Sequence, residues 1–364
     1  MRKWPLLAAA FAVALIASGL GLWAKQSRLP QPPARKPLPQ TVPSHTSETP
    51  RPVRLVAVGD IMMAGPMGKV MEKRGRGYPF AALKSTLRRA DLTFGNLECC
   101  IATCGKPIPK KFNFQAHPRA ALALHDAGFD IVSLANNHAW DYGREALAET
   151  VQRVRQAKVL TVGAGENRAA AHALTVVRRN GMRIGFLAYL GLVPPLIPES
   201  ETEPSLSMGS VESIREDVAT ARDKADVLIV SLHCGEENHT SPTPRQRLLA
   251  RAAIDAGADL VIGHHPHVTQ PMEIYQGKPI CYSLGNFVFS TTGRGTGAML
   301  DATLSPDGSV EARLRPLLLA GAQPHFPKPM ALARRRVRSV SSRAARSATR
   351  SPKASKVLSA NRQK

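Results

Sequence analysis

The sequence contains no CxxC pair. Its five cysteines, Cys99, Cys100, Cys104, Cys234 and Cys281, offer no such spacing, which excludes a zinc ribbon and a thioredoxin-type motif. The odd count leaves at least one thiol unpaired. For the rest two readings stand: a bridge from Cys104 to Cys99 or Cys100 in an oxidising compartment, or small buried core residues. Aromatics are scarce, at 5% of 364 residues, and none interleaves with the Arg-rich C-terminal stretch, which argues against nucleic-acid binding. Acid is missing where basic charge is densest. From Lys328 to Lys364 there are twelve Lys and Arg residues and no Asp or Glu, and residues 1 to 54 carry eight against the single Glu48. The formal charge of +22 therefore belongs to the two flanks, and the segment between keeps only about +3. Basic flanks fit attraction to anionic lipid headgroups or to an anionic polymer, and equally fit solvated disorder.

What is present divides the chain into four segments. Arg2 and Lys3 precede an uncharged run from Trp4 to Ala24, closed by Lys25, about the length a helix needs to cross a bilayer. A cleavable signal normally has a shorter apolar region and a small-x-small exit, so residues 1–25 are expected to be an uncleaved anchor. Basic residues ahead of the run place the N-terminus in the cytoplasm and the bulk of the chain outside. No Cys follows the run, which argues against a lipoprotein. Residues 26–53 are crowded with proline among Ser, Thr and Gln, a composition that forms an extended spacer. A folded domain is expected over 54–323. The stretch 324–364 loses periodicity and is expected to be a basic disordered tail.

Within the domain, short β-rich runs alternate with amphipathic segments, the pattern of an α/β fold. Strands are expected at 54–58, 92–95, 131–134, 183–189, 227–232 and 260–262, and helices near 80–90, 117–127, 143–157, 211–224 and 244–256. Hairpin turns are signalled at Asn180-Gly181, Gln276-Gly277 and Asp307-Gly308.

The chemistry lies where these strands end. Gly59-Asp60, Gly95-Asn96-Leu97-Glu98, Ala135-Asn136-Asn137-His138, His233-Cys234-Gly235-Glu236 and Gly263-His264-His265-Pro266-His267 each put Asp, Glu, Asn or His after an apolar run. In open α/β sheets the crevice at the strand carboxyl ends gathers side chains from distant segments. Carboxylate, carboxamide and imidazole without cysteine spacing suit a divalent metal such as Mn, Zn or Fe, as one ion or a pair. In the Asn136-Asn137-His138-x-x-Asp141-x-Gly143 segment an Asn oxygen can ligate while His138 transfers a proton. Asp141 either orients His138 by accepting a ring N–H or caps the following helix.

With these motifs in place the sequence resembles the CapA family of poly-γ-glutamate capsule proteins. The resemblance is carried by GD at 59–60, GNLE at 95–98, ANNHxxDYG at 135–143, HxGxE at 233–237, GHHPHVxQPxE at 263–273 and YSLGNFVF at 282–289. It implies a metallophosphatase-like four-layer α/β/β/α sandwich with the metal site at the strand ends. Carried over by position, the metal ligands are Asp60, Glu98, Asn137, His233, His265 and His267, and the catalytic pair is His138 and Asp141. His264, Glu236 and Asn136 are secondary choices; His265 is preferred to His264 because it keeps a His-x-His spacing with His267. Two departures stand out. Ordinary metallophosphatases begin Asp-x-His, whereas Asp60 is followed by Ile61 and Met62, and the family's usual aromatic after His233 is replaced by Cys234. Ser283, Asn286 and Phe287 either line the pocket or form a strand with a glycine bend.

Two functions follow from the resemblance. One is a metal-dependent hydrolase acting on an envelope polymer or its precursor, with His138 as proton donor. The other is a non-enzymatic factor that binds or exports the anionic polymer alongside other capsule-synthesis proteins. Location at the cell membrane with the domain outside, or secretion if the N-terminal segment is cut, accompanies both.

Overall fold

The computed structural model describes residues 49–192, 199–289 and 295–327. The expected anchor, nearly all of the spacer and all but the first few residues of the basic tail fall outside these. Among the described residues no helix is long and apolar enough to cross a membrane.

The first four major strands, β1 (Val53–Ile61), β2 (Leu92–Leu97), β3 (Ile131–Ser133) and β4 (Leu160–Val162), lie side by side and parallel. The chain then builds a second sheet from β5 (Thr175–Arg179), β6 (Met182–Leu190), β7 (Val227–His233), β8 (Leu260–His264), β9 (Met272–Tyr275) and β10 (Lys278–Cys281). Their spatial order is β9-β10-β8-β7-β6-β5, parallel from β10 to β6 with an antiparallel strand at each edge. Finally β11 (Asn286–Val288), β12 (Gly295–Leu304), β13 (Val310–Ala320) and β14 (Gln323–His325) return to the first sheet. There β12 pairs antiparallel along most of β1, and β11 pairs with its end at Asp60 and Ile61.

Period-two alternation explains why the sheets stack. In β1, Leu55 and Ala57 face an inner core shared with Ile184, Phe186, Ile229 and Ile262 of the second sheet. Phe94 and Phe186 stack across that interface with centroids 5.5 Å apart. The alternate residues Val56 and Val58 face outward with Met67, Leu87, Leu124, Leu147 and Val154. Those come from helices α1 (Gly65–Arg74), α2 (Lys84–Arg88), α3 (Ala120–Ala127) and α4 (Gly143–Gln156). The short helix α5 (Arg168–His172) follows β4. On the far side Leu228 and Val230 of β7 meet Ile214 and Val218 of α6 (Val211–Ala221) and Leu249 and Ala253 of α7 (Pro244–Asp255). The result is the helix, sheet, sheet, helix order anticipated above. Strands buried on both faces read as continuous apolar runs, and each such Leu, Ile or Phe contributes roughly 2–3 kcal/mol.

Local signals set the boundaries. Ser210 and Thr243 form capping boxes with Ser213 and Gln246, and Pro244 opens α7. The turns at Asn180-Gly181 and Gln276-Gly277 have positive φ at both residues, as two-residue hairpins require.

Two expectations are corrected, and of the two cysteine readings the bridge is not the one found. The expected helix at 80–90 is a 3-10 turn at Tyr78–Phe80 followed by the five-residue α2. The sheet continues through β14 to His325, two residues past the expected domain boundary. All five cysteines are free. Cys100 Sγ instead lies 3.3 Å from the Ala139 carbonyl oxygen, and burial pushes its thiol up to about 12.

Candidate metal centre

β1, β2, β3, β7 and β8 all end at the same edge of the sandwich, and the polar residues that follow them meet there. Asp60 sits in β1 directly after Gly59. A Cβ at position 59 would lie 1.8 Å from the Gly285 carbonyl oxygen, the same oxygen that accepts the Asp60 N–H at 3.0 Å. Only glycine allows this approach, which brings the β1 end against the β11 segment and sets the depth of the Asp60 carboxylate.

Asp60 is fully buried and contacted from four sides. Its Oδ1 accepts from Asn96 Nδ2 at 2.9 Å and lies 3.3 Å from His264 Nδ1. Its Oδ2 lies 3.2 Å from His267 Nδ1 and accepts weakly from the His265 N–H at 3.4 Å. Burial alone would raise its pKa, but contact with His264 and His267 outweighs this and holds it well below the usual carboxylate range. Glu98 behaves in the opposite way. Burial, and then the neighbouring Asp60, push it well above its ordinary value. Its Oε1 is buried without a hydrogen-bond partner, with His267 Nε2 3.8 Å away. One ligand atom from each of Asp60, Glu98 and His267 lies within 4.8 Å of the others.

A second group adjoins this one. His233 Nε2 is 2.8 Å from Asn137 Oδ1 and 3.2 Å from His265 Nδ1, while His233 Nδ1 lies 3.3 Å from Asn96 Nδ2. Burial first, and neighbouring histidines second, push His233 well below its ordinary pKa and His265 down to about 4. Neutral imidazoles keep the lone pairs that metal ligation needs. The loop after β8 is strained to deliver its rings: His265 and His267 both have positive φ, 97° and 60°, which non-glycine residues rarely adopt and which gathers at functional sites.

His138 stands beside these groups on the turn after β3. Its Nδ1 is 2.8 Å from Asp141 Oδ2, so Nδ1 carries the hydrogen and Nε2 is left for proton transfer. Asp141 does not cap α4, whose N-cap is Tyr142 with no side-chain bond. Instead it holds His138, pairs with Lys110, and accepts the Phe114 N–H at 2.6 Å.

The expected ligands Asp60, Glu98, Asn137, His233, His265 and His267 thus come together, with His138 and Asp141 next to them. Three secondary choices take other roles. Asn136 braces the turn, its Oδ1 accepting from the His138 and Ala139 amides and its Nδ2 donating to Asn96 Oδ1 and the Leu97 carbonyl. His264 points behind the pocket toward Phe94, its centroid 6.0 Å away. Glu236 is exposed and paired with His239. Two residues of the site were given no role from the sequence, and a third was weighed only as one of two readings. Asn96 is a hub joining Asp60, Glu98, Asn136 and His233, and its signal was its place inside GNLE. Asn286, weighed only as pocket lining, places Oδ1 3.0 Å from His267 Nδ1. Lys110 donates to the Asn137 carbonyl at 2.8 Å and lies 3.3 Å from His138 Nδ1; it sits in a loop without periodicity and gave no signal.

Comparison with known proteins adds a family. The family described as bacterial capsule synthesis protein PGA_cap matches residues 54–291. The capsule biosynthesis protein CapA of Bacillus anthracis is 35% identical over 244 residues, 65% of this chain and 59% of that protein. The PGA biosynthesis protein CapA of Bacillus subtilis is 32% identical over 272 residues, 73% and 72% of the two chains. A probable polyglutamine synthesis accessory protein of Mycobacterium tuberculosis is 32% identical over 231 residues, 60% of each. Among solved structures, a hypothetical protein of Thermus thermophilus overlays with a TM-score of 0.48 at 18% identity, covering 72% of this chain and 99% of that one. The NAD nucleotidase of Haemophilus influenzae gives 0.45 at 10%, covering 74% and 50%.

Proposed function

The chain belongs to the bacterial capsule synthesis protein family, and from that premise we propose that its strand-end pocket is a divalent-cation site serving hydrolase-like chemistry on capsule or poly-γ-glutamate polymer. The observation that carries this reading is the buried Glu98 Oε1 without a partner, facing Asp60 and His267. An orphaned carboxylate oxygen costs about 1–3 kcal/mol or more, and a cation is the natural partner for two carboxylates and an imidazole. Asp60, Glu98 and His267 would hold one ion, and Asn137, His233 and His265 would complete the site. A divalent cation there supplies Lewis-acid polarisation of a phosphoryl or acyl oxygen. The chain's own residues do the rest. Asn96 fixes the Asp60 and Glu98 oxygens, and Asp141 keeps the hydrogen on His138 Nδ1. His138 Nε2 is thereby left to take up a proton and return it to the leaving atom. The metallophosphatase-like character of the domain rests on this donor set.

The non-enzymatic reading draws support from Met62, at the position where an Asp-x-His start would place a ligand. Its Sδ accepts the Ala64 N–H at 3.2 Å and its side chain joins the core, so no ligand comes from there. The uncharged run from Trp4 to Ala24, outside the described residues, supports a single-pass anchor with the domain outside the membrane, where an envelope polymer and other capsule-synthesis proteins would be the partners.

The test is metal analysis of the full chain followed by assays on phosphoesters and γ-glutamyl polymer. Bound Mn, Zn or Fe with turnover lost in His138→Ala is the expected result. Salt-sensitive polymer binding without turnover would favour the binding and export reading. A chain that holds neither metal nor polymer would overturn both.

A further inference from the structure

The loop at 108–114 is clamped to the turn that carries Asn137 and His138. Ile108 N–H donates to the Asp141 carbonyl at 2.9 Å, Phe114 N–H to Asp141 Oδ2 at 2.6 Å, and Lys110 pairs with the same carboxylate. Asn113 Nδ2 closes the loop on the Ile108 carbonyl at 3.1 Å. The aromatic rings on this loop are therefore held in fixed positions relative to His138.

They form a shelf. The Phe114 ring lies 4.3 Å from the His138 ring, centroid to centroid. Phe112 stacks on Phe114 at 6.4 Å and 13°, and Phe112 is 57% exposed. Over its ring, 5.1 Å from the centroid, stands the Lys111 ammonium, and among the described residues no carboxylate pairs with it. The shelf thus starts at the proton-transfer residue and ends at the surface in an aromatic face with a free cation above it. Single exposed apolar residues are ordinary; one stacked in line with the pocket and topped by an unpaired ammonium is a surface on which a hydrocarbon chain can lie with its anionic group on the cation.

Another part of the pocket's surroundings carries the reverse charge. Glu236 and Glu237 are exposed on the segment after β7, and the charge of Glu237 reaches Glu98, His265 and His267. An anionic chain leaving the pocket is repelled there and attracted toward Lys111.

We propose that Lys111 and Phe112 form an outer subsite for the next anionic unit of a chain whose reacting bond lies at the pocket. For the polymer already named, such a subsite makes a chain of several anionic units bind better than a single unit or a small ester. This rests on the pocket reading above and adds a direction and a length requirement to it.

The test compares the full chain with Lys111→Ala and Phe112→Ala, using a short γ-linked glutamyl oligomer and free glutamate as probes and a small phosphoester as a reference substrate. Both residues are exposed, so the melting temperature and metal content of both variants are expected to match the parent. Oligomer Kd is expected to rise about tenfold in each variant, with free glutamate binding and phosphoester turnover unchanged. Added salt is expected to weaken oligomer binding to the parent and much less to the Lys111→Ala chain. Equal oligomer affinity in all three chains, or equal losses for both probes, would overturn the subsite. A chain without metal or turnover whose oligomer binding still depends on Lys111 and Phe112 would sink the pocket chemistry and leave the subsite standing.

Discussion

Two regions of this molecule use the same side chains to opposite ends. At the strand edge, histidines and carboxylates are buried together yet left incomplete: Glu98 Oε1 lacks a hydrogen-bond partner. Near α5 a histidine is satisfied on both sides. His172 Nδ1 lies 2.7 Å from Asp217 Oδ2 and its Nε2 2.6 Å from Glu199 Oε1. Tyr189 donates its hydroxyl to Asp217 at 3.1 Å, and the Met208 N–H donates to Glu199 at 3.0 Å. Burial alone would lower the His172 pKa, but the two carboxylates raise it to about 9, whereas the pocket's His265 falls to about 4. Completed polar contacts mark a structural brace, and unfinished ones mark a place built to receive something.

Substitutions can break this contrast at either end. Asp60→Ala removes the group that His264, His267 and Asn96 all contact, so metal content is expected to fall to background with loss of all turnover; retention of stoichiometric metal would contradict the assignment. His138→Ala is expected to lower turnover by roughly 10²–10⁴ while metal content holds, read by pairing elemental analysis with steady-state rates. His172→Ala leaves Asp217 and Glu199 without their shared partner, at a cost of roughly 2–3 kcal/mol, measured by chemical denaturation, and metal binding is expected to persist. The same brace has a pH signature. Because its folded pKa is raised, His172 stabilises fully below its ordinary value of 6.5, and this contribution fades as pH climbs through about 9. Denaturation midpoints across that window should slope downward in the parent and lose that component in His172→Gln; equal slopes would remove His172 from the account. The smallest effect is expected at Glu236→Gln, less than about twofold on turnover, because an exposed ion pair contributes little.

The inner strands were legible because burial on both faces writes continuous Val, Ile and Leu runs, as in Val227 to Leu232, and the hairpin turns were legible from Asn-Gly and Gln-Gly pairs. Helix α1 was missed. It opens Gly-Pro, holds a second glycine, and buries only Met67 and Met71, too few apolar positions to show a 3.6-residue period. The site was legible as a set of strand ends because polar residues after apolar runs stand out in any sequence. The division of labour within it was not. Within ANNH only the resemblance favoured Asn137, which faces His233, over Asn136, which braces the turn, and within GHHPH only the His-x-His spacing favoured His265 over His264; backbone direction at each position decides, and that depends on tertiary contacts. Lys110 was invisible because its partners lie 27 to 31 positions away in the chain.

The contributors to the pocket come from both sheets: Asp60, Glu98 and Asn137 lie in or just beyond the ends of strands of the first, His233, His265 and His267 in or just beyond the ends of strands of the second. Neither sheet alone holds a complete set, so the pocket exists only when the sandwich has closed over Phe94 and Phe186. Any cation that ties the two halves together bolts the layers along one seam and raises the resistance of the closed state to unfolding. Chelation would then act on this protein as a mechanical release as well as a chemical one.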